Sequence, residues 1–149
     1  LVAEKDPEAM VVLGNLSAAG VQTDRSFRQA ISWYRKAVKA ASKNIDEASD
    51  EIINEVAWIL ATTSKKSLKR ARYALRIIDK RMQDSSLARE KPEFLDTWAA
   101  ALAANGQFEK AIEIQNRAIS KATEQDRDDV LQILEKHLKS FKLNQPITE

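Results

Sequence analysis

The 149-residue chain contains no cysteine and a single histidine, His137. These absences exclude disulfide scaffolds, thiol catalysis, cysteine-based zinc sites and histidine-cluster metal sites, because each needs side chains that the chain does not have. Three glycines and three prolines are too few for the many turns of a β-sandwich or barrel. The longest apolar run, residues 56–61, is too short to cross a bilayer, and no signal peptide is recognisable. We therefore expect few, long elements.

What the chain does contain is typical of a globular protein. Hydrophobic residues make up 44% and charged residues 31%, with a formal net charge of +2. A chain of this length buries a core without disulfides or a metal, so we expect one domain over residues 1–149.

Apolar residues recur at the three-and-four spacing of a helical face, which predicts an all-α fold of seven helices. We expect these helices at about residues 7–19, 24–43, 46–60, 67–82, 92–104, 108–122 and 126–143. Their predicted caps or first residues are Asp6, Asp24, Asp46, Ser67, Pro92, Phe108 and Asp126. The apolar stripe expected for the fourth helix is Leu68, Ala71, Leu75, Ile78 and Met82.

Small residues recur along the chain and indicate an internal repeat. The first helices of three pairs carry Gly14, Ala57 and Ala99, and the second helices carry Ala30, Ala71 and Ala111. We expect repeats at about residues 6–44, 46–83 and 92–123, with a polar-faced capping helix at about 126–143. The link between the second and third repeats, residues 84–91, is unusually long.

At these residues the chain resembles the tetratricopeptide repeat (TPR) superfamily. Leu13-Gly14, Ala30, Trp33-Tyr34 and Ala37 place the first repeat nearer the Sel-one-like variant of that superfamily. The resemblance implies a right-handed α-solenoid of three antiparallel helix pairs plus a C-terminal capping helix. Residues 1–6 read as the end of a preceding repeat. Ala57-Trp58 and Gln145-Pro146 are similar to closing repeats of bacterial TPR proteins, which favours the periplasm over the cytoplasm.

The same resemblance implies a non-enzymatic scaffold that binds a protein or peptide in a concave groove. The groove positions that it places on this chain are Glu8, Val11, Asn15, Glu51, Asn54, Trp58, Thr62, Glu93, Asp96 and Ala100. Four of them are acids and none is a base, so we expect a neutral or basic partner. A second interpretation is that the acids only keep the surface soluble. Trp58 is either an exposed anchor or buried by the irregular hairpin that follows it.

Residues 65–81 carry eight bases and one acid, whereas the rest of the chain has a net charge of −5. This basic helix supports an alternative function, contact with an anionic surface of nucleic acid or lipid. The simpler interpretation is a solvated outer face, and Tyr73 alone does not indicate a specific nucleic-acid module.

No set of residues indicates catalysis, a cofactor or a metal site. His137 has no partner histidine or cysteine and is expected to be structural, and the carboxylate pairs are ordinary for a charged helical protein. The chain is therefore not expected to be an enzyme.

Overall fold

The computed structural model describes residues 6–20 and 26–149, and all regular secondary structure in this part of the chain is helical. The helices are α1 (Pro7–Ala19), α2 (Phe27–Ala41), α3 (Glu47–Thr62), α4 (Ala71–Asp84), α5 (Ser86–Arg89), α6 (Pro92–Ala104), α7 (Phe108–Glu124) and α8 (Asp128–Lys142). The all-α expectation is confirmed for the described residues. The short α5 was not expected.

Neighbouring helices pack as three pairs, α1 with α2, α3 with α4, and α6 with α7. Helix α3 also contacts α2 and α6, and α6 contacts α4, so each pair stacks on the next. Helix α8 packs on α7 and α6 and covers the end of the third pair, where its Leu134 and Phe141 are buried. Each amphipathic pair buries its apolar stripe against the following element.

The small residues that the repeat predicts on the paired helices are mostly buried. A Cβ placed on Gly14 would lie 2.5 Å from the Tyr34 ring of α2. Ala57 and Ala99, the equivalent residues of α3 and α6, are completely buried, as is Ala111 of α7. The predicted close approach is thus confirmed at Gly14, and the other three small residues are buried as expected.

One predicted position in the second repeat was wrong. Ala71 is half-buried at the start of α4, and the completely buried alanine is Ala74, four residues before the buried Ile78. That spacing matches Ala30 with Tyr34. The helix begins at Ala71 instead of Ser67, because residues 65–70 form a separate turn in which the Arg70 N–H donates to the Leu60 carbonyl of α3 at 3.0 Å.

The long link after α4 contains the unexpected α5. The Ser85 hydroxyl caps this single turn by accepting from the Ala88 N–H at 3.1 Å, and it donates to Asp50 of α3 at 2.8 Å. Ala88 is completely buried. A turn this short shows no helical periodicity in the sequence, so periodicity did not predict it.

Two predicted caps also differ. Asp24 lies outside the described residues, and the Ser26 hydroxyl caps α2 by accepting from the Gln29 N–H at 3.2 Å. Asp126 does not begin α8. It ends α7 in a left-handed conformation with φ of 53°, and the next N–H, of Arg127, donates back to the Ala122 carbonyl at 2.8 Å. The ends of α1 at Gly20 and of α6 at Asn105-Gly106 are confirmed.

Candidate functional site

The candidate groove positions all lie on the first helices of the pairs, α1, α3 and α6. Glu8, Asn15, Glu51 and Glu93 are exposed, and Asn54 and Trp58 are half-buried. Val11, Thr62, Asp96 and Ala100 are buried, so their side chains are not presented to a partner in this structure. The exposed candidate positions are therefore Glu8, Asn15 and Glu51, which precede Trp58 in the sequence, and Glu93, which follows it.

Trp58 is covered by the C-terminal end of the chain and by α8. Its indole Nε1 donates to the Glu149 carboxylate at 2.9 Å, and its ring centroid lies 5.7 Å from that of His137. The hairpin after α3, which the sequence analysis offered as the alternative cover, supplies neither of these contacts. Nothing local in the sequence indicated Glu149, which is 91 residues away.

The C-terminal segment, residues 144–149, runs from the end of α8 to the end of α3. The Glu149 N–H donates to the Thr62 carbonyl at 2.7 Å, and the Ser64 N–H donates to the Glu149 carbonyl at 2.8 Å. Ile147 is 9% exposed. Two backbone hydrogen bonds and one indole bond thus hold Glu149 at the end of α3.

A buried polar cluster lies beneath Trp58 and joins α6, α7 and α8. One Asp96 carboxylate oxygen accepts from the Gln115 side-chain amide at 2.8 Å and lies 2.9 Å from His137 Nδ1. The Gln115 amide also donates to the Leu134 carbonyl at 2.9 Å. Gln115 occupies the position that an aromatic residue takes in the first repeat. His137 is therefore a packed residue that supports the Trp58 ring, in keeping with its expected structural role.

Two basic residues contact the acidic groove positions, although no base was expected there from the sequence. Lys91 Nζ contacts Glu47 at 3.1 Å and Glu51 at 3.2 Å, and Arg127 contacts Glu93 at 2.9 Å. Burial acts to lower the pKa of Lys91, but its hydrogen bonds to both glutamates outweigh burial and raise the pKa above its ordinary value. The hydrogen bonds to Asp129 and Glu93 raise the pKa of Arg127 as well. Glu51 and Glu93 are thus partly neutralised.

An acidic cluster remains between α1 and α3, formed by Glu8, Glu51 and Glu55. Burial raises the pKa of Glu55, and the negative charges of Glu8 and then Glu51 raise it further. Beside this cluster the Tyr34 hydroxyl donates to Asn15 at 2.7 Å, and burial, then the charge of Glu55, raises the pKa of Tyr34 to about 12. Sequence reasoning missed Glu55, although it follows Glu51 by one helical turn on the same face.

The basic residues of 65–81 divide into two groups. Arg81 is buried and bound to Asp50 at 3.0 Å, so it does not belong to any surface. Lys65, Lys66, Arg72, Arg76 and Lys80 are exposed, and Lys69 and Arg70 are half-buried. Arg35 of α2 joins this second group through its contact with Tyr73 and was missed because it is remote in sequence.

Comparison with known proteins returned nothing: no family model, no curated protein and no solved structure matches the chain. Within residues 6–20 and 26–149, none of the helices combines the length and apolar character needed to span a membrane. The same residues hold no group of three or more histidine, aspartate or glutamate side chains placed to bind a metal ion.

Proposed function

We propose that the chain is a non-enzymatic, TPR-like helical scaffold that binds an extended segment of another protein along the first helices of its repeats. In this proposal the pairs form a right-handed solenoid, and the surface of α1, α3 and α6 is its concave side. The proposal retains the bacterial cell envelope as the compartment that the resemblance favours.

The observation that carries the proposal is the docked C-terminal segment. Glu149 is held at the end of α3 by backbone hydrogen bonds to Thr62 and Ser64 and by a side-chain bond from Trp58. Backbone bonds of this kind hold an extended chain with little regard to its sequence, while side-chain contacts such as that on Trp58 add selectivity. The surface around Trp58 is therefore suited to an extended peptide, and the chain's own segment occupies it.

The acidic cluster sets the charge that we propose for the partner. Glu8, Glu51 and Glu55 lie close enough for their charges to raise the pKa of Glu55. A lysine or arginine bound there would relieve this repulsion, whereas an acidic segment would increase it. We therefore propose a neutral or basic partner that lies beside α1 and α3 and reaches Trp58 when Glu149 is displaced.

Trp58 emission provides the test once Trp33 and Trp98 are replaced by phenylalanine. The protein is titrated with a basic and with an acidic peptide pool. We expect the basic pool to change the Trp58 emission and the acidic pool to leave it unchanged. Glu8→Gln combined with Glu55→Gln should weaken the response about tenfold, because two negative charges are lost from the binding surface. Glu109→Gln combined with Glu113→Gln, two exposed acids on α7, is the matched control and should leave it unchanged.

Two results would contradict the proposal. A response to the acidic pool alone would reverse the proposed charge of the partner. Equal affinity in the Glu8/Glu55 variant and the parent protein would remove the acidic cluster from the binding surface.

A further inference from the structure

Five cationic side chains surround one open depression on the second helices, on elements that the proposed peptide surface does not use. The depression has a volume of about 590 Å³, and the residues that line it are Arg35, Lys69, Arg70, Ala71, Arg72, Tyr73 and Arg76. They come from α2, from the turn before α4 and from α4 itself. Within the part of the chain that the structure describes, no carboxylate lines the depression.

The absence of carboxylates extends beyond the depression. Helix α2 contains no acidic residue, and none occurs between Thr62 and Asp79. None of the five cations forms an ion pair with a carboxylate of the described residues, whereas Lys80, Lys91, Lys121 and Arg127 all do. Among the described residues, therefore, no carboxylate lies within ion-pair distance of these like charges.

The tyrosine fixes two of the guanidinium groups. Arg35 Cζ lies 4.6 Å from the centroid of the Tyr73 ring, and Arg76 Cζ lies 5.2 Å from it. Arg70 is held by its donation to the Ser67 and Lys69 carbonyls at 3.1 and 2.7 Å. These contacts restrain the three side chains, and such restraint lowers the entropy cost of binding a ligand.

We propose that this depression binds a compact anion carrying several phosphate groups. Planar guanidinium groups match the geometry of phosphate oxygens, and five cations around one opening suit a multiply charged ligand better than a single carboxylate. The Tyr73 ring already contacts two guanidinium groups, so base stacking of a nucleic acid is not part of this proposal. None of the large apolar side chains that are exposed in residues 6–20 and 26–149 lines the depression, so membrane insertion is not part of the proposal either.

The ligand's phosphates come either from a free phosphorylated compound or from a lipid headgroup, and the experiment separates the two. Binding of inorganic tripolyphosphate is measured by calorimetry, and binding of phosphatidylcholine vesicles with and without phosphatidylinositol 4,5-bisphosphate, whose headgroup carries several phosphates, by co-sedimentation. We expect tripolyphosphate to bind at low salt and to weaken between about 50 and about 500 mM NaCl. If the vesicles with phosphatidylinositol 4,5-bisphosphate bind and tripolyphosphate does not, the result would support the phosphate site and assign its source to a headgroup.

Lys69→Gln combined with Arg72→Gln should weaken binding about tenfold or more, since each loses a charge-assisted contact. Lys136→Gln combined with Lys139→Gln removes the same charge from exposed positions of α8 and should change it less than twofold. Circular dichroism should show both variants folded. The proposal is overturned if neither probe binds, or if the two variants lose affinity equally, because that loss would reflect net charge alone.

Discussion

Arg81 of α4 and Asp50 of α3 form an ion pair in the interior, with Nη1 3.0 Å from Oδ1 and side chains that are 3% and 0% exposed. Arg81 also donates to the carbonyls of Asn44 and Ala41, at 3.0 and 3.2 Å. The second Asp50 oxygen accepts from the Ser85 hydroxyl at 2.8 Å. This pair thus ties the end of α2 and the start of α5 to the second repeat.

Arg81→Met should lower the free energy of unfolding by about 3 to 5 kcal/mol, because it leaves the Asp50 carboxylate buried without a counter-charge. Urea unfolding measures the change. The double variant Asp50→Leu/Arg81→Met should recover part of the loss, since no charge then remains buried. Lys80→Met is the control, because its ion pair with Asp84 is exposed and should contribute less than about 1 kcal/mol. A loss of similar size in Lys80→Met would contradict the argument.

The register of the repeat is tested by leucine at three alanines. Ala111→Leu and Ala74→Leu should each cost about 1 to 3 kcal/mol, because both sites are completely buried and have no room for three more carbons. Ala71→Leu is the matched control and should be nearly neutral, since Ala71 is half-buried at the start of α4. Thermal unfolding of the three variants measures these losses of stability. A larger loss of stability in Ala71→Leu than in Ala74→Leu would support the register expected from the sequence, with Ala71 as the buried small residue.

The Tyr34 ring leaves no space for a side chain at position 14. Gly14→Ala should destabilise the first pair by about 1 to 3 kcal/mol, because the new Cβ would lie 2.5 Å from Tyr34 Cε1. The ring cannot easily move away, since Tyr34 is 1% exposed and its hydroxyl is bound to Asn15. The double variant Gly14→Ala/Tyr34→Leu should lose less than the sum of its single variants in a denaturant titration. Strict additivity would show that the two residues do not interact.

The cap of α3 makes stability depend on pH. The Asp46 carboxylate accepts from the Ser49 N–H at 2.8 Å, and this hydrogen bond holds the pKa of Asp46 below its ordinary value of 3.8. A lowered folded-state pKa stabilises the protein above the ordinary value, and this contribution is lost as the pH falls through the folded-state pKa. Asp46→Ala should therefore lower the melting temperature at about pH 7, and the difference should shrink toward about pH 2.

Asp46→Asn is the control for this cap. Asparagine accepts the same hydrogen bond without a titrating charge, so it should melt closer to the parent protein at neutral pH. Its melting temperature relative to Asp46→Ala should not vary with pH. If the deficit of Asp46→Ala stayed constant across the acid range, the charge of Asp46 would contribute nothing to the cap.

Helices with caps and stripes inside one segment were predicted well. Asp6-Pro7 begins α1, Asp46 caps α3 and Asn105-Gly106 ends α6, as the sequence analysis expected. Each of these signals acts over a few neighbouring residues, so a single sequence contains them. The start of α4 was misplaced because Ser67 and Leu68 carry the same local signals, while the hydrogen bond that shapes residues 65–70 comes from Leu60 of α3.

The candidate site was predicted only in part. The sequence placed Glu8, Asn15 and Glu51 on an exposed face, but it gave no indication that Asp96 is buried against His137 and Gln115. The sequence also did not indicate the hydrogen bond from Trp58 to Glu149 or the ion pair between Arg127 and Glu93. Such contacts join residues that are tens of positions apart, so the spacing of apolar residues within one helix does not predict them.

The amino-acid sequence by itself determined that the described chain is helical and roughly where seven of its helices lie, because these depend on backbone propensity, capping and apolar spacing within one segment. The tertiary structure decided which polar side chains are buried as partners and which remain on the surface. It buried Arg81 with Asp50 and left Arg72 and Arg76 exposed on the same helix. Burial of a charge depends on whether packing brings a counter-charge from another element, and only the folded chain supplies that partner.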